Sequence, residues 1–402
     1  MARPYTHRLF LWTLALALTG IVSVFFHKPG QLSGWPWQAV DVSDATAQPP
    51  PRTNTLILSS WRSGSSFLGQ LFNQHPGVFY LMEPMKHIWT KLSQSRESAL
   101  RGATRDLLRS LSACDETAFQ FYIDNPRRLN SLFMFHTSAA LCTVPACPAE
   151  AAAAANTSAG IPCWQSCGSA PFEGIGRACE QRRHMVIKSV RFFDISSLRP
   201  LVADPAVRLK IIHLVRDPRA VLSSRRKLNG YSLAGDDQMV LGRAKVDQQS
   251  DAVEVMNMIC RGMDDIGAGV AEEDAASSVG GRRGGEGGSD VLRDAYMAVR
   301  YEDLVSRPEE TTRDMFRFAD IELPAAVLSW VRDMTQGQRE GPGGFEVERL
   351  RSLAVARKWR WSVSFEDARS TQRACRGAMQ RFRYREFASE RELRNASIDA
   401  FY

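Results

Sequence analysis

The feature that most constrains the fold is a strand that runs directly into a small-residue loop and then a helix, in residues 56–76 (LILSSWRSGSSFLGQLFNQHP). The apolar run before Ser59 is typical of a buried strand, and apolar residues recur at helical spacing after Ser66. Such a strand–loop–helix unit binds phosphate groups, because backbone N–H groups and the helix dipole point at the anion. The segment therefore predicts an α/β fold with a phosphate site after this strand.

Other β-rich runs alternate with helical stretches such as the one from Ala99. The β-rich runs are residues 55–60 (TLILSS), 184–190 (HMVIKSV), 209–215 (LKIIHLV) and 295–300 (AYMAVR). Near-continuous apolar runs suit strands that are buried on both faces, so we expect a parallel sheet flanked by helices. Ligands bind at the carboxyl ends of such strands. The loops after Ser60 and Val215 are therefore the expected site.

The N-terminus contains an uncharged apolar run, Leu9–Phe26, of 18 residues. This length is just enough for a transmembrane helix. Arg3 and Arg8 precede it, which predicts a cytosolic N-terminus and a body on the far side of the membrane. A cleaved signal peptide is the alternative, but the apolar run continues past its small-residue segment, which favours an uncleaved anchor.

These signals predict four segments: a cytosolic tail over 1–8, a transmembrane signal-anchor over 9–26, a stem over 27–53 and a lumenal domain over 54–402. The stem residues are rich in proline, glycine and small polar side chains. The predicted topology is that of a single-pass type II membrane protein.

The eight cysteines, most of them between positions 142 and 179, indicate an oxidising compartment and disulfides whose pairing the sequence does not give. The sequons at Asn156 and Asn395 are candidate glycan acceptors. The formal net charge of +7 indicates either an anionic partner or a soluble surface.

The loop at residues 61–67 (WRSGSSF) offers groups suited to phosphate oxygens. Arg62 has a forked cation, Gly64 permits close approach of the backbone, and the serines supply hydroxyl groups. The stretch lacks the first glycine and the lysine of G-x-x-x-x-G-K-[ST], which disfavours a kinase or ATPase. The alternative is a serine-rich helix cap with no ligand.

A second stretch, residues 211–227 (IIHLVRDPRAVLSSRRK), again predicts a strand, a charged turn and a helix. Arg216 ends the strand, and Pro218 suits the first helical position. Ser224 follows Arg216 by eight residues and can project back towards the strand end. We expect a second phosphate site here, with a surface turn as the alternative.

Taken together, these two stretches resemble the Golgi carbohydrate sulfotransferases. Residues 73–89 (NQHPGVFYLMEPMKHIW), 186–193 (VIKSVRFF) and 299–304 (VRYEDL) add to the resemblance. It extends over about 54–385 and is nearest to enzymes that sulfate the 6-hydroxyl of N-acetylglucosamine in keratan sulfate or mucin-type chains. Relatives that act on galactose or N-acetylgalactosamine share the motifs, so these sugars remain alternatives.

The resemblance implies a P-loop-like sulfotransferase fold and 3′-phosphoadenylyl sulfate as the sulfuryl donor. The first stretch would hold its 5′-phosphosulfate and the second its 3′-phosphate. The implied donor-binding residues are Trp61, Arg62, Ser63, Gly64, Ser65, Ser66, Phe67, Arg216, Asp217, Pro218, Arg219, Ala220, Val221, Leu222, Ser223 and Ser224.

Sulfuryl transfer to a sugar hydroxyl needs a base near the hydroxyl and cations around the leaving phosphate. Glu83 is the candidate base, with a cap or salt-bridge carboxylate as the alternative, and His87 is the second candidate. Arg62 is expected to stabilise the developing charge, and this chemistry requires no metal. Lys188 and Arg191 would either bind an anionic substrate or form a solvated charge pair.

Residues 356–365 (ARKWRWSVSF) would either cover the site or pack in the core. Two features depart from the family pattern. The glycine-rich segment 277–290 is predicted to be a surface insertion, and Ser189 stands where several relatives are expected to have Glu.

Other function classes explain less of the sequence. A Golgi glycosyltransferase shares the anchor and stem, but the chain has no Asp-x-Asp for a metal-bound sugar nucleotide. An anchored glycan-binding protein would not need two phosphate loops. Nucleic-acid binding is disfavoured because the predicted topology places the body in a different compartment from nucleic acid. The expected partners are a glycan acceptor and the Golgi membrane, and the sequence leaves homo-oligomer formation open.

Overall fold

A computed structural model describes residues 52–93, 95–155, 161–191, 195–228, 240, 251–278, 291–336 and 352–402. Its centre is a five-stranded parallel sheet in the order β2-β3-β1-β4-β5. The strands are β1 (Thr53–Ser59), β2 (Val78–Met82), β3 (His184–Ser189), β4 (Leu209–Val215) and β5 (Tyr296–Arg300). The predicted parallel sheet flanked by helices is confirmed.

Strand β2 is an element that the sequence pattern does not predict. It lies between the helix α1 (Ser65–Asn73) and Glu83. A five-residue apolar run that follows a helix closely is not distinguished by its pattern from a buried helical segment. The consequence is that Glu83 lies at the carboxyl end of a strand, beside β3.

Helices cover both faces of the sheet. They are α1 (Ser65–Asn73), α2 (Lys86–Lys91), α3 (Glu97–Ser112), α4 (Ala149–Ala155), α5 (Cys163–Ser166), α6 (Gly174–Glu180), α7 (Arg199–Val202), α8 (Pro218–Arg226), α9 (Ala252–Ser278), α10 (Val291–Asp294), α11 (Tyr301–Ser306), α12 (Pro308–Phe318), α13 (Ala325–Gln336), α14 (Ser352–Arg357), α15 (Trp359–Ser362), α16 (Phe365–Ala374), α17 (Arg376–Arg381) and α18 (Glu390–Arg394). Short 3-10 helices occur at Glu116–Phe121, Leu129–Ser131, Phe135–Thr137, Ala139–Cys142 and Ser196–Leu198.

The core lies on both faces of the sheet. Leu56 and Leu58 of β1 belong to the apolar cluster that α3 and the cysteine-rich segment cover. Ile57 belongs to the opposite cluster, where Phe72 of α1 stacks on Phe316 of α12. Because both faces are covered, the strands are mostly apolar, and the polar groups of the candidate site follow the strand ends.

All eight cysteines form disulfides, so the prediction of disulfide bonds is confirmed. The pairs are Cys114–Cys179, Cys142–Cys163, Cys147–Cys167 and Cys260–Cys375. Three of them join the segments that cover β2 and β3. The fourth ties α9 to the helices that pack behind α8.

The predicted transmembrane helix at 9–26 lies outside the described residues. Among the helices that the structure does describe, none is long and apolar enough to cross a membrane. The stem up to residue 51, the sequon at Asn156 and residues 279–290 of the glycine-rich insertion also lie outside the described ranges.

Candidate active site

The loop between β1 and α1 is shaped by two left-handed residues. Arg62 has φ 75° and Gly64, the N-cap of α1, has φ 92°. The side chain of Ser60 hydrogen-bonds Ser63 across the loop at 2.7 Å. Gly64 also faces the Tyr301 ring so closely that a Cβ atom would collide with it. This position therefore needs glycine for both backbone angle and space.

Side chains of the loop divide by exposure. Trp61, Arg62, Ser66 and Phe67 are half-buried, as is Gly64. Ser63 and Ser65 are buried, and Phe67 stacks on Trp330 with ring centroids 5.7 Å apart. The surface that the loop presents is therefore made chiefly by the half-buried residues.

The turn after β4 is held by a buried ion pair. Asp217 caps α8 by accepting a hydrogen bond from the Arg219 backbone N–H, and its carboxylate pairs with the Arg219 guanidinium at 2.7 Å. Arg219 is fully buried between Trp359 and Phe387. These two charges neutralise each other in the core, so they serve the turn itself.

Arg62 joins the two predicted phosphate loops. Its Nε donates to Ser224 Oγ at 3.0 Å, and its carbonyl accepts a hydrogen bond from Arg216 Nη1 at 2.9 Å. Arg216 and Ser224 therefore do converge, and Arg62 lies between them. Two guanidinium groups and a hydroxyl at one sheet edge, beside a helix N-terminus, form an arrangement suited to a multiply charged anion.

The rest of the second stretch lies in the core. Pro218, Ala220, Val221 and Leu222 are buried, the last two against α9 and α17. The hydroxyl of Ser223 bonds Ser362 at 2.9 Å. We therefore propose Arg216 and Ser224 as the donor contacts of this stretch. Its other residues hold these two in position.

The start of α11, directly after β5, contributes two residues that the sequence analysis names only within the segment 299–304 and does not predict as site residues. The Tyr301 ring lies under the Arg216 guanidinium at 4.8 Å and against Gly64. Glu302 is 4% exposed and accepts hydrogen bonds from the Asp217 backbone N–H at 3.1 Å and from Tyr384 Oη at 2.9 Å. The available signal was the position of this Tyr-Glu pair directly after a predicted strand.

Glu83 forms a buried ionic cluster at the ends of β2 and β3. Lys188 Nζ lies 2.6 Å from Oε1, Arg191 Nη1 lies 2.6 Å from Oε2, and the Val190 backbone N–H donates to both oxygens. Burial alone would raise the pKa of Glu83, but Lys188 and Arg191 outweigh it and bring the pKa below its ordinary value. Lys188 and Arg191 are therefore buried partners of Glu83, so the alternative of a solvated charge pair is wrong for them.

His87 is a neutral hydrogen-bond acceptor. Its Nε2 accepts from the Phe133 backbone N–H at 3.0 Å, so the neutral ring carries its proton on Nδ1. Burial, followed by the charges of Lys86 and Arg191, lowers the pKa of His87 to about 4. Because the ring's lone pair is already engaged, this geometry favours Glu83 over His87 as the base.

The segment 356–365 mostly packs. Trp359 is buried against Arg219, and the Arg360 guanidinium donates to four backbone carbonyls near the C-terminus. Trp361 is 53% exposed. Of the two interpretations of this segment, core packing applies to Trp359 and Arg360.

Among the residues that the structure describes, no group of three or more His, Cys, Asp and Glu side chains is close enough to hold a metal ion. The expectation that the reaction needs no metal remains a prediction.

We compared the chain with family models, with curated proteins and with solved structures. Residues 55–325 match the model of the sulfotransferase family. The chain is 40% identical to carbohydrate sulfotransferase 5 of Mus musculus and 39% identical to carbohydrate sulfotransferase 6 of Homo sapiens, with 87% of this chain and 85% of each relative covered. A solved structure, the sulfotransferase domain of a Synechococcus olefin synthase, aligns over 81% of this chain and 94% of that domain, with 21% identity and a TM-score of 0.41.

Proposed function

This chain belongs to the sulfotransferase family and, within it, to the carbohydrate sulfotransferases, and from this premise we propose that it sulfates the 6-hydroxyl of N-acetylglucosamine in keratan sulfate or mucin-type chains. The sulfuryl donor is 3′-phosphoadenylyl sulfate. The same reaction on galactose or N-acetylgalactosamine is the alternative that the acceptor experiment below distinguishes.

The observation that carries the proposal is the convergence of Arg62, Arg216 and Ser224 at the ends of β1 and β4. A donor with separate 3′- and 5′-phosphate groups needs two cationic contacts held at a fixed spacing. The hydrogen bond from Arg216 to the Arg62 carbonyl supplies that spacing. Arg216 Nε is buried and has no hydrogen-bond partner among the described residues, which suits a site that an anion completes.

In the proposed reaction, the sugar oxygen forms a bond to sulfur while the bond from sulfur to the 5′-phosphate oxygen breaks. 3′-Phosphoadenosine 5′-phosphate leaves with the electron pair of that bond. Arg62 and the loop N–H groups are proposed to stabilise the charge on the leaving phosphate. The hydroxyl proton is proposed to pass to Glu83.

Glu83 suits this role in one respect and is restrained in another. Lys188 and Arg191 keep the carboxylate ionised, and its oxygens retain lone-pair capacity beyond the described contacts. The same ion pairs lower its basicity. Because the pKa of Glu83 is lowered, we expect the rate to change little between neutral and mildly acidic pH and to fall only as Glu83 protonates in stronger acid.

We further propose a single-pass type II protein of the Golgi membrane, with the tail over 1–8, the anchor over 9–26, the stem over 27–53 and the catalytic domain over 54–402 in the lumen. Four disulfides support an oxidising compartment for the catalytic domain.

The test uses the full-length protein in detergent with labelled sulfate donor and three acceptors, which end in N-acetylglucosamine, galactose or N-acetylgalactosamine. Arg62→Ala and Glu83→Gln are compared with the wild type. Arg105→Ala and Glu150→Gln make the same changes on the outer surface and serve as controls.

Label on the N-acetylglucosamine 6-hydroxyl, lost in the two site variants and kept in the controls, would support the proposal. Transfer to another sugar would replace the acceptor and leave the reaction in place. Absence of donor binding in the wild type would contradict the proposed donor site.

A further inference from the structure

We propose that Glu302 is a positioning residue that holds Arg216 in place to bind the 3′-phosphate of the donor. The inference rests on the proposed function, because it assigns to Arg216 the donor contact described above. Glu302 itself touches neither phosphate group in this assignment.

Glu302 connects three parts of the site. It follows β5, its Oε1 accepts from the backbone N–H of Asp217 at the end of β4, and its Oε2 accepts from Tyr384 in the C-terminal segment. Tyr384 is itself buried and paired with Phe401 through an isolated β-bridge. The carboxylate therefore fixes the backbone immediately after Arg216 to two independent elements.

Arg216 is restrained from the other side by the loop and by the residue before Glu302. Its Nη1 donates to the Arg62 carbonyl, and its guanidinium lies over the Tyr301 ring. Consecutive residues at the end of β5 thus support the Arg216 side chain and the backbone that follows it. A shift of the turn at Asp217 would move the guanidinium away from Arg62.

A buried carboxylate is energetically unfavourable as a purely structural hydrogen-bond acceptor at this position. Burial, followed by the charge of Asp217, raises the pKa of Glu302, whereas the charge of Arg216 and the hydrogen bond from the Asp217 backbone N–H lower it. A neutral side chain would avoid the cost of burying that charge. The position near Arg216 gives the carboxylate a second role, because its charge attracts the Arg216 guanidinium and so opposes the outward movement of that cation.

The test measures two ligands that differ only in the 3′-phosphate, adenosine 3′,5′-bisphosphate and adenosine 5′-phosphate, by calorimetry on the full-length protein. We expect Glu302→Gln to weaken binding of the bisphosphate about tenfold, as expected for loss of a charge-assisted hydrogen bond, with little change for the monophosphate. Arg216→Ala should give the same selective loss. The double variant should lose little more than Arg216→Ala alone, since both changes act through one contact.

Two further variants keep the outcome interpretable. Tyr384→Phe removes one hydroxyl from Glu302 and leaves the Asp217 contact, so it should give a smaller loss of the same selectivity even if Glu302→Gln folds poorly. Glu392→Gln removes a carboxylate that accepts from the Ala388 backbone N–H far along the chain, and it should change neither affinity.

A wild type that prefers the bisphosphate, together with a Glu302→Gln variant that keeps the full preference or weakens both ligands equally, would overturn this inference alone. A wild type that binds neither ligand would contradict the proposed function as well. The two failures are therefore distinguishable.

Discussion

Two regions at the carboxyl edge of the sheet, one at the strands β1 and β4 and the other at β2 and β3, use charge in opposite ways. At β1 and β4, Arg62 and Arg216 are half-buried, Arg62 donates to the Ser224 hydroxyl, and Arg216 donates to the Arg62 carbonyl. At β2 and β3, Lys188 and Arg191 are buried and bound to the single carboxylate of Glu83. Both regions have basic residues at or near a strand end, so the sequence pattern does not distinguish them. Under the proposed function, the half-buried cations at β1 and β4 would bind the donor, whereas the buried cations that pair with Glu83 belong to the frame of the site.

The largest expected effect is on stability at the β2 and β3 end. Lys188→Met leaves Glu83 buried with one cation fewer, so the free energy of unfolding should fall by about 3–5 kcal/mol. The double variant with Glu83→Gln should recover part of this loss, because the uncompensated carboxylate is then gone. Chemical unfolding measures all three proteins.

An unchanged stability in Lys188→Met would show that the cluster is open to solvent and would remove the contrast between the two regions. Lys91→Met, which removes an exposed partner of Asp124, is the matched control and should cost less than about 1 kcal/mol.

The next effect is on catalysis at the β1 and β4 end. Arg62→Ala should lower kcat about a hundredfold, since it removes a donor aimed at the leaving phosphate. The unfolding free energy should change by less than about 1 kcal/mol, because the side chain is half-buried and its described partner is a hydroxyl group. Steady-state kinetics and unfolding are measured together. A large stability loss with unchanged kcat would reverse the roles assigned to the two regions.

The two regions should also differ in how their contribution to folding stability depends on pH. His213 of β4 is buried against Tyr296, and burial lowers its pKa to about 3. A lowered histidine pKa contributes stability that is complete above its unfolded value near 6.5 and is lost as the pH falls towards 3. At pH 5 the loss from this residue should be about 2 kcal/mol. Glu83, with its pKa lowered, should lose its contribution only below about 4.5.

Unfolding curves at pH 7 and pH 5 for the wild type, His213→Gln and Glu83→Gln test this separation. His213→Gln should flatten the pH dependence between 7 and 5, whereas Glu83→Gln should leave it unchanged. The opposite pattern would contradict the two assignments.

The smallest effect concerns Ser224. Ser224→Ala removes the hydroxyl that Arg62 Nε contacts, so the KM for the donor should rise about fivefold while kcat stays close to the wild-type value. Ser223→Ala is the comparison, because that hydroxyl bonds Ser362 instead. Equal effects of the two substitutions would mean that the contact with Arg62 does not orient the guanidinium.

Much of the fold follows from local patterns. The four predicted strands correspond to β1, β3, β4 and β5, because each is an apolar run bounded by polar or turn residues. β2 is also an apolar run, but it is only five residues long and lies a few residues after α1, so the pattern does not distinguish it from a buried helical segment. The disulfide pairing could not be predicted either, because spacing along the chain does not determine which sulfur atoms meet.

The candidate site shows the same division. The residue types of the loop at Trp61–Phe67 and the turn at Arg216 indicate anion binding without reference to the rest of the chain. The partners of Glu83 and the supporting role of Glu302 depend on which strands are neighbours. Lys188 reaches Glu83 only because β2 pairs with β3, and Glu302 reaches Asp217 only because β5 pairs with β4.

The sequence by itself determined the strand–loop–helix units, since backbone angles, helix starts and apolar runs are properties of neighbouring residues. The tertiary structure decided which charges were neutralised and which were left half-buried at the site. The physical reason is that the energy of a charge depends on its burial and on partners that, at Glu83 and Lys188, lie 105 positions apart along the chain.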